Sequence, residues 1–377
     1  MNTIDQAWDR IERVADSLVS LGCFPLWTHA GKWETIAFED QERGVLPHNG
    51  SWMVGDLPAI LWFIASHEGN DTGLRSRAFQ YSTRLRNRST LKAFASVSHL
   101  FFRGALVGLT IAGEKKLEPL VSAAAATIAS RFQEIGYMKS FGGPEDHSYP
   151  FTTVDDAINL VMPLWHAKKT GDRKLEQSVL SAADEIAEHL IRADGSTAQV
   201  LRMDDHGRPA GVDTYQGLSP DTCWSRGQAW GIYGYATLYR LARKPEYLDL
   251  AKRMTDYWMS HVRRNPSPVW DFSYEESADV PRDSFAASLA YAGILELAAL
   301  SDAAYGEKLV AYARDMLDRL TVQYVLCEEK STGILAGAAL DVPHNHGINS
   351  SVIVGDSYYT EALWRLSTPG GVVSLPQ

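Results

Sequence analysis

The chain of 377 residues has only three cysteines, Cys23, Cys223 and Cys327. They are odd in number and far apart, which excludes a disulfide framework and a CxxC metal site and suits a reducing compartment. Positive charge is also scarce, with 36 lysines and arginines against 46 aspartates and glutamates and a net charge of −10. A nucleic-acid binder needs a basic face to displace counterions from phosphates, so that partner is not expected. Long apolar runs are missing, and no stretch approaches the roughly 20 residues of a membrane span. The opening "MNTIDQAWDRIERVADSLVSLG" carries Asp5, Asp9, Arg10, Glu12 and Arg13 where a signal peptide needs an apolar run. A cytoplasmic protein without a membrane partner is therefore expected. Walker, GxGxxG, GxSxG and HExxH patterns are absent, and His344 and His346 in "HNH" have no cysteine nearby. Neither a cofactor nor a metal is expected.

What is present is helical. Apolar residues make up 45% of the chain and charged residues 22%, as in ordinary folded proteins. The 3.6-residue periodicity predicts about twelve helices, starting near residues 4, 54, 73, 97, 115, 153, 173, 224, 245, 283, 303 and 353. Short turns of one form join several of them: "SHEGNDTGLRSRA", "TIAGEKKLEPL", "KKTGDRKLEQS", "LARKPEYLDLA" and "SDAAYGEKLVA". In each, a glycine or proline turn precedes a charged and an apolar residue that open the next helix, as in antiparallel hairpins. Their recurrence marks a degenerate helical-pair repeat. Elsewhere lie long segments rich in tryptophan, aspartate, glycine and proline, such as "STAQVLRMDDHGRPAGVDTYQGLSPDTCW" and "NPSPVWDFSYEESADVPRDS". Long loops inside a compact domain are usually functional. Short turns alternating with long loops predict an all-α fold, an (α/α)6 barrel of six helical hairpins with a pocket at its loop-rich end. No linker composition divides residues 1–377, so a single domain is expected.

The stretch "CWSRGQAWGIYGY" places Gly227, Gly231 and Gly234 inside one predicted helix. Each interior glycine costs about 1 kcal/mol relative to alanine. Their spacing of four and three puts them on one face, a strip against which another backbone or a flat ligand can lie. Arg226, Trp230 and Tyr233 repeat on a neighbouring face, giving a cation and two aromatic surfaces suited to a sugar; ordinary helix packing with core aromatics explains the same spacing. The 11 tryptophans likewise suit either sugar stacking or a large aromatic core.

Carboxylates among aromatics are the remaining chemistry. "TTVDDAINLVMPLWHA" puts Asp155 and Asp156 at the first turn of a helix, where a carboxylate commonly caps or faces the dipole. Only one need do so; a carboxylate desolvated by aromatics at the mouth of a barrel could instead have its pKa raised and act as a general acid, and both readings stay open. Asp271, Arg282 and Asp283 in "VWDFSYEESADVPRDS" and Asp56 in "WMVGDLP" add further groups, with Asp283 placed as a cap. Asp356, Tyr358, Tyr359 and Glu361 fall on the last helix, where they are positioned to close the ring.

Four blocks, "TTVDDAINL", "CWSRGQAWGIYGY", "VWDFSYEESADVPRDS" and "VGDSYYTEALWRL", resemble the unsaturated glucuronyl hydrolases of glycoside hydrolase family 88, and the layout extends over nearly the whole chain. The resemblance implies an (α/α)6 barrel that removes a 4,5-unsaturated uronic acid from the non-reducing end of acidic oligosaccharides left by polysaccharide lyases. It implies vinyl-ether hydration, in which one aspartic acid protonates C4 and water adds at C5, unlike the two-carboxylate scheme of most glycosidases. Asp155 matches the family's catalytic aspartate. Gln216, Trp224, Arg226 and Trp230 match the sugar subsite, and Trp52 stands where an aromatic precedes the second helix. The donor fork of Arg226 suits an oxygen-rich ligand.

The departures are equally specific. The family has an aspartate after the histidine in a segment like "HDIGF"; here the segment is "VSHLFFRGA", with His99 kept and Leu100 in the aspartate's place. Gln199 and Tyr215 replace two family histidines. Asp56 or His99 is a candidate to take over the lost carboxylate's work. Two other readings stay open: a uronate lyase using Tyr215, His99 and Arg226 for β-elimination, and a sugar-binding protein without catalysis.

Overall fold

Turn chemistry sets the alternation of helices. In the computed structural model, which describes residues 3–42, 49–69, 71–327 and 332–368, twelve helical segments build the barrel. They are α1 (Thr3–Ser20), α2 (Asp56–His67), α3 (Thr72–Thr83) and α4, which runs through Val97–Phe101, a π-helical turn Phe102–Leu106 and Val107–Ile111. Next come α5 (Glu118–Ile135), α6 (Asp156–Asn159 continued by Val161–Thr170), α7 (Arg173–Leu190) and α8 (Ser225–Ala242). The last four are α9 (Pro245–His261), α10 (Ser284–Ala298), α11 (Ala303–Leu320) and α12 (Ile353–Ser367). These starts agree with the periodicity to within about three residues, the precision expected of helix ends.

Asp71, Asp172 and Asp302 cap α3, α7 and α11, accepting hydrogen bonds from Leu74 N, Leu175 N and Tyr305 N at 2.8, 3.0 and 3.1 Å. Before two of them, Gly69 and Gly171 take positive φ to end the preceding helix. Pro245 instead opens α9, where its missing N–H is no loss.

Burial separates the helices into two layers. All fifteen residues of α10 are buried, so this helix is enclosed on every side. On α7 the buried residues Leu175, Val179, Ala182, Ala183, Ile186 and Leu190 mark a single stripe, as on an outer helix. The inner helices pack in sequence, α2 on α4, α4 on α6, α6 on α8, α8 on α10 and α10 on α12, and α12 packs back on α2 to close the ring. The odd-numbered helices form the outer layer. The all-α (α/α)6 barrel read from the sequence is the fold.

Every connection from an outer to an inner helix is long, and every inner-to-outer connection is short. The long ones carry three small antiparallel sheets: β1 (Cys23–His29) with β2 (Lys32–Ala37), β3 (Phe151–Thr153) with β4 (Val200–Met203) and β5 (Pro209–Asp213), and β6 (Ala338–Asp341) with β7 (His346–Ser350). It follows that the six inner helices all begin at the loop-rich end, so their positive dipole ends converge on its mouth. Among the described residues no helix is long and apolar enough to cross a membrane.

Candidate active site

The glycines of α8 explain how the aspartate turn is seated. A Cβ on Gly227 would stand 3.3 Å from Val154 Cγ1, one on Gly231 would stand 2.7 Å from Met254 Sδ, and one on Gly234 would stand 2.7 Å from Ala157 Cβ and 3.1 Å from Ile158 N. Residues 154–158, which hold Asp155, therefore lie directly on the side-chain-free strip. The close approach anticipated from the spacing is made by this turn of the protein rather than by a flat ligand.

Asp155 and Asp156 divide their work in an unexpected way. The Asp156 carboxylate accepts from Ser140 Oγ, from Thr152 Oγ1 at 3.3 Å, from Thr153 N and Oγ1 at 3.0 and 3.1 Å, and from Asn159 Nδ2 at 2.8 Å. It ties the preceding strand to α6 rather than capping forward, and Asp155 at the N-cap position makes no side-chain cap bond. The cap expected of one of the pair is thus replaced by a backward-facing turn anchor. Asp155 Oδ1 is buried and has no hydrogen-bond partner among the described residues. The residue as a whole retains some solvent contact, yet protein surrounds the carboxyl. Burial and the Asp156 charge raise its pKa to about 8, against the opposing pull of Arg226.

Trp52, His99 and Trp230 come together on one side. The His99 ring meets Trp52 at 5.1 Å and Trp230 at 5.5 Å, both edge to face, and Tyr358 at 6.0 Å. Neither ring nitrogen of His99 has a hydrogen-bond partner among the described residues, nor does Tyr358 Oη. Burial, with the Arg103 charge adding to it, keeps His99 neutral. Its backbone N–H donates to Asn159 Oδ1 at 3.2 Å, which links it to the Asp156 anchor. Buried polar atoms are nearly always paired in folded proteins, so these mark a place for water or for hydroxyl groups.

Gln199, Tyr215 and Gln216 form a second cluster. Gln199 Oε1 accepts from Thr214 Oγ1, Tyr215 N and Gln216 N at 2.9, 2.8 and 2.7 Å, which fixes the loop after β5. Gln216 Nε2 donates to Leu340 O at 2.9 Å. Arg226 donates to the same carbonyl, to Ala339 O at 2.8 Å and to Asp283 Oδ2 at 2.5 Å, with its guanidinium 4.6 Å from the Trp224 ring centroid. Both terminal nitrogens of Arg226 therefore have protein partners, and its charge acts on the site through position. Asp283 also caps α10 through Phe285 N at 3.1 Å, the structural role read from the sequence. Trp224 is buried.

Asp56 belongs to a different electrostatic neighbourhood. Its Oδ1 accepts from Arg103 Nε at 3.3 Å, and Arg103 also bonds Glu361 and Ser357 and lies 4.1 Å from the Tyr358 ring centroid. Glu361 in turn accepts from Tyr233 Oη at 2.8 Å and Arg365 Nε at 2.9 Å. This buried network joins α2, α4, α8 and α12 and explains why polar groups on the last helix close the ring. Desolvation raises the Asp56 pKa to about 7, and its Oδ2 has no hydrogen-bond partner among the described residues. A Cβ on Gly55 would stand 2.2 Å from Leu100 O, so the start of α2 lies directly beside the position of the leucine. The sequence reading had not singled out Arg103 or Asn159; the signal for Arg103 was a cation in the apolar run "FFRGAL".

The closed ring of helix pairs thus brings a buried acid and aromatic rings together near the starts of its inner helices. No family model matches the chain. Curated relatives include an unsaturated glucuronyl hydrolase of Formosa agariphila, 26% identical over 83% of this chain and 79% of its own. Another, from Bacillus sp. strain GL1, is 27% identical over 87% of this chain and 89% of its own. Among solved structures, an unsaturated glucuronyl hydrolase specific for heparin superposes with TM-score 0.84 at 23% identity, over 97% of this chain and 96% of that one. The Bacillus enzyme superposes with TM-score 0.85 at 24% identity, over 97% of both chains. Over most of its length the chain is similar to unsaturated glucuronyl hydrolases, and it shares their fold.

Proposed function

We propose that the protein removes a 4,5-unsaturated uronic acid from the non-reducing end of lyase-generated oligosaccharides, with Asp155 as general acid and then general base. The observation that carries this reading is the Asp155 carboxyl, seated on the glycine strip, raised to about 8 and left with an unpartnered oxygen at the mouth. Below that pH it holds a proton to give to C4 of the vinyl ether. Water then bonds to C5, and the Asp155 carboxylate takes the proton that the water loses. The hemiketal at C5 opens, and the glycosidic bond at C1 breaks with release of the aglycone hydroxyl.

The convergence of six inner-helix N-termini favours the uronate carboxylate at this end. Trp52, His99 and Trp230 hold the sugar ring from one side and Gln216 from the other, with Arg226 setting the local potential. Asp56, which opens the helix beside Leu100 and is paired with Arg103 in the buried network, is the candidate to take over the lost carboxylate's work. The lyase reading needs a base, and Tyr215 is poorly suited: burial and the neighbouring Asp341 charge raise its phenol further above neutrality.

The test is a pair of absorbance assays. An unsaturated uronyl disaccharide should lose its enol-ether absorbance on incubation, and a saturated uronide should gain none. Full turnover by Asp155→Asn, or growth of absorbance from the saturated compound, would overturn the assignment. The cytoplasmic location and single catalytic domain remain part of the same proposal.

A further inference from the structure

Gln199, just before β4, is only 5% exposed, so its amide must find partners within the protein. Its main chain and its side chain serve different parts of the site. The main-chain carbonyl accepts from Val154 N at 2.9 Å, beside Asp155, and the next residue, Val200, pairs with Thr153 across β3 and β4. The side-chain oxygen takes three donors from the loop after β5: Thr214 Oγ1 at 2.9 Å, Tyr215 N at 2.8 Å and Gln216 N at 2.7 Å. A main-chain N–H can only donate, so these bonds fix which end of the amide faces the loop. Gln199 Nε2 then donates to Gln216 Oε1 at 3.3 Å. Gln216 Nε2 donates onward to Leu340 O at 2.9 Å, the carbonyl that also accepts from Arg226.

The rest of the loop is held by other groups: Thr214 N by Asp213 Oδ1 at 2.8 Å, Gly217 N by Thr214 Oγ1 at 2.9 Å and Leu218 N by Asp271 Oδ2 at 2.9 Å. The two amides at its centre, those of Tyr215 and Gln216, rest on Gln199. A carbonyl oxygen has two lone pairs, so one that already takes three donors has nothing to offer a sugar hydroxyl. Gln216 is only half-buried and stands between this anchor and the hairpin of β6 and β7.

We propose that Gln199 is a positioning residue, whose side chain presents Gln216 to the sugar without touching the sugar itself and whose main chain steadies the turn of the acid. The proposal rests on the function given above and deepens it by separating binding from chemistry at one residue. A side-chain substitution leaves the main-chain bond to Val154 in place. It should therefore disturb binding and spare the acid.

Two measurements test it, and the first needs no substrate. Methionine matches glutamine in length but is a weak acceptor, so in Gln199→Met hydrogen exchange at the Tyr215 and Gln216 amides, read by mass spectrometry, should be about tenfold faster than in the wild type. Gln199→Glu, whose carboxylate accepts the same three donors, should restore slow exchange. Unchanged exchange in Gln199→Met would overturn the hold on the loop. In turnover of an unsaturated uronyl disaccharide, Gln199→Met should raise KM by about tenfold and keep kcat within about threefold of wild type. Gln216→Ala should also raise KM, and the double variant should be no worse than the worse single one, because one residue acts through the other. Additive losses in KM would mean that Gln199 meets the sugar directly, and a fall in kcat as large as the rise in KM would mean general damage to the fold; either overturns the proposal. Absence of wild-type turnover defeats the function proposed above, and the exchange measurement then decides the positioning of the loop by itself.

Discussion

Gly234→Ala asks whether the glycine strip positions the acid. The new Cβ would stand 2.7 Å from Ala157 Cβ, 3.1 Å from Ile158 N and 3.2 Å from Ala157 C. Carbon pairs settle at about 3.5–4.0 Å, so α8 and the 157–158 backbone must separate by about 1 Å. Backbone cannot swing aside as a side-chain end does. Alanine gains about 1 kcal/mol of helix propensity and overpacking costs about 1–3 kcal/mol, so the net loss of stability is at most about 2 kcal/mol. The displacement falls two residues from Asp155, and misplacing a reacting group by about 1 Å can cost about 100-fold in rate. We expect kcat to fall by about 10- to 100-fold while the melting temperature drops by only a few degrees. Gly231→Ala is the control, because its Cβ meets the Met254 sulfur, the mobile part of a flexible side chain, and contacts Thr197 and Val154 at an ordinary 3.5 Å. Its kcat should stay within about threefold of wild type, since methionine adapts readily. Turnover and thermal melts on the two variants decide the matter. Unchanged kcat in Gly234→Ala, or equal losses in both, would refute the idea that the strip places the acid.

The acid form of Asp155 is lost as pH rises through about 8, so kcat should decline over that interval, and a flat rate from pH 6 to 9 would count against it. Its folded-state pKa lies above the ordinary value of 3.8, so folding stability falls with pH between that value and about 8; Asp155→Asn should therefore melt higher than wild type at pH 8 and lose that advantage by pH 4. Asp56→Asn should lower kcat/KM by at least tenfold with a modest change in melting temperature, read against Arg103→Met, which leaves a buried carboxyl unpaired and should destabilise strongly. Retained activity in Asp56→Asn would end its assignment as the carboxyl replacing Leu100. Raising ionic strength should leave KM unchanged or lower it, because the chain's net charge of −10 opposes an anionic substrate from outside the pocket; a steep rise in KM with salt would show attraction instead.

The twelve helices were legible because each short turn carries its own stop and start residues, and those signals are local. Asp71, Asp172 and Asp302 cap from within three residues of the helix they open, so no distant contact is needed to read them. The duties of Asp155 and Asp156 were not legible, since adjacent aspartates at a helix start look alike. What separates them is the set of donors reaching Asp156 from Ser140, Thr152, Thr153 and Asn159, which only the folded loop assembles. Arg226 lies near enough to Asp155 to pull its pKa down, but its bonds to the Ala339 and Leu340 carbonyls come from a segment more than a hundred residues away. Spacing along one helix cannot reveal such partners.

The same separation between sequence and environment resolves how an acidic chain can receive an acidic sugar. A formal charge of −10 counts every aspartate as ionised. Asp56, Asp155, Asp156, Asp283 and Asp356 all stand at or near the starts of inner helices, and burial raises the pKa of each. With Asp155 at about 8 and Asp56 and Asp356 at about 7, part of the counted negative charge is absent from the mouth near neutral pH. The helix dipoles that converge there are then incompletely cancelled. Desolvation thus has two linked consequences. On the proposed function, it makes the mouth receptive to a uronate carboxylate, and it keeps on Asp155 the proton that is given to C4 and recovered from water.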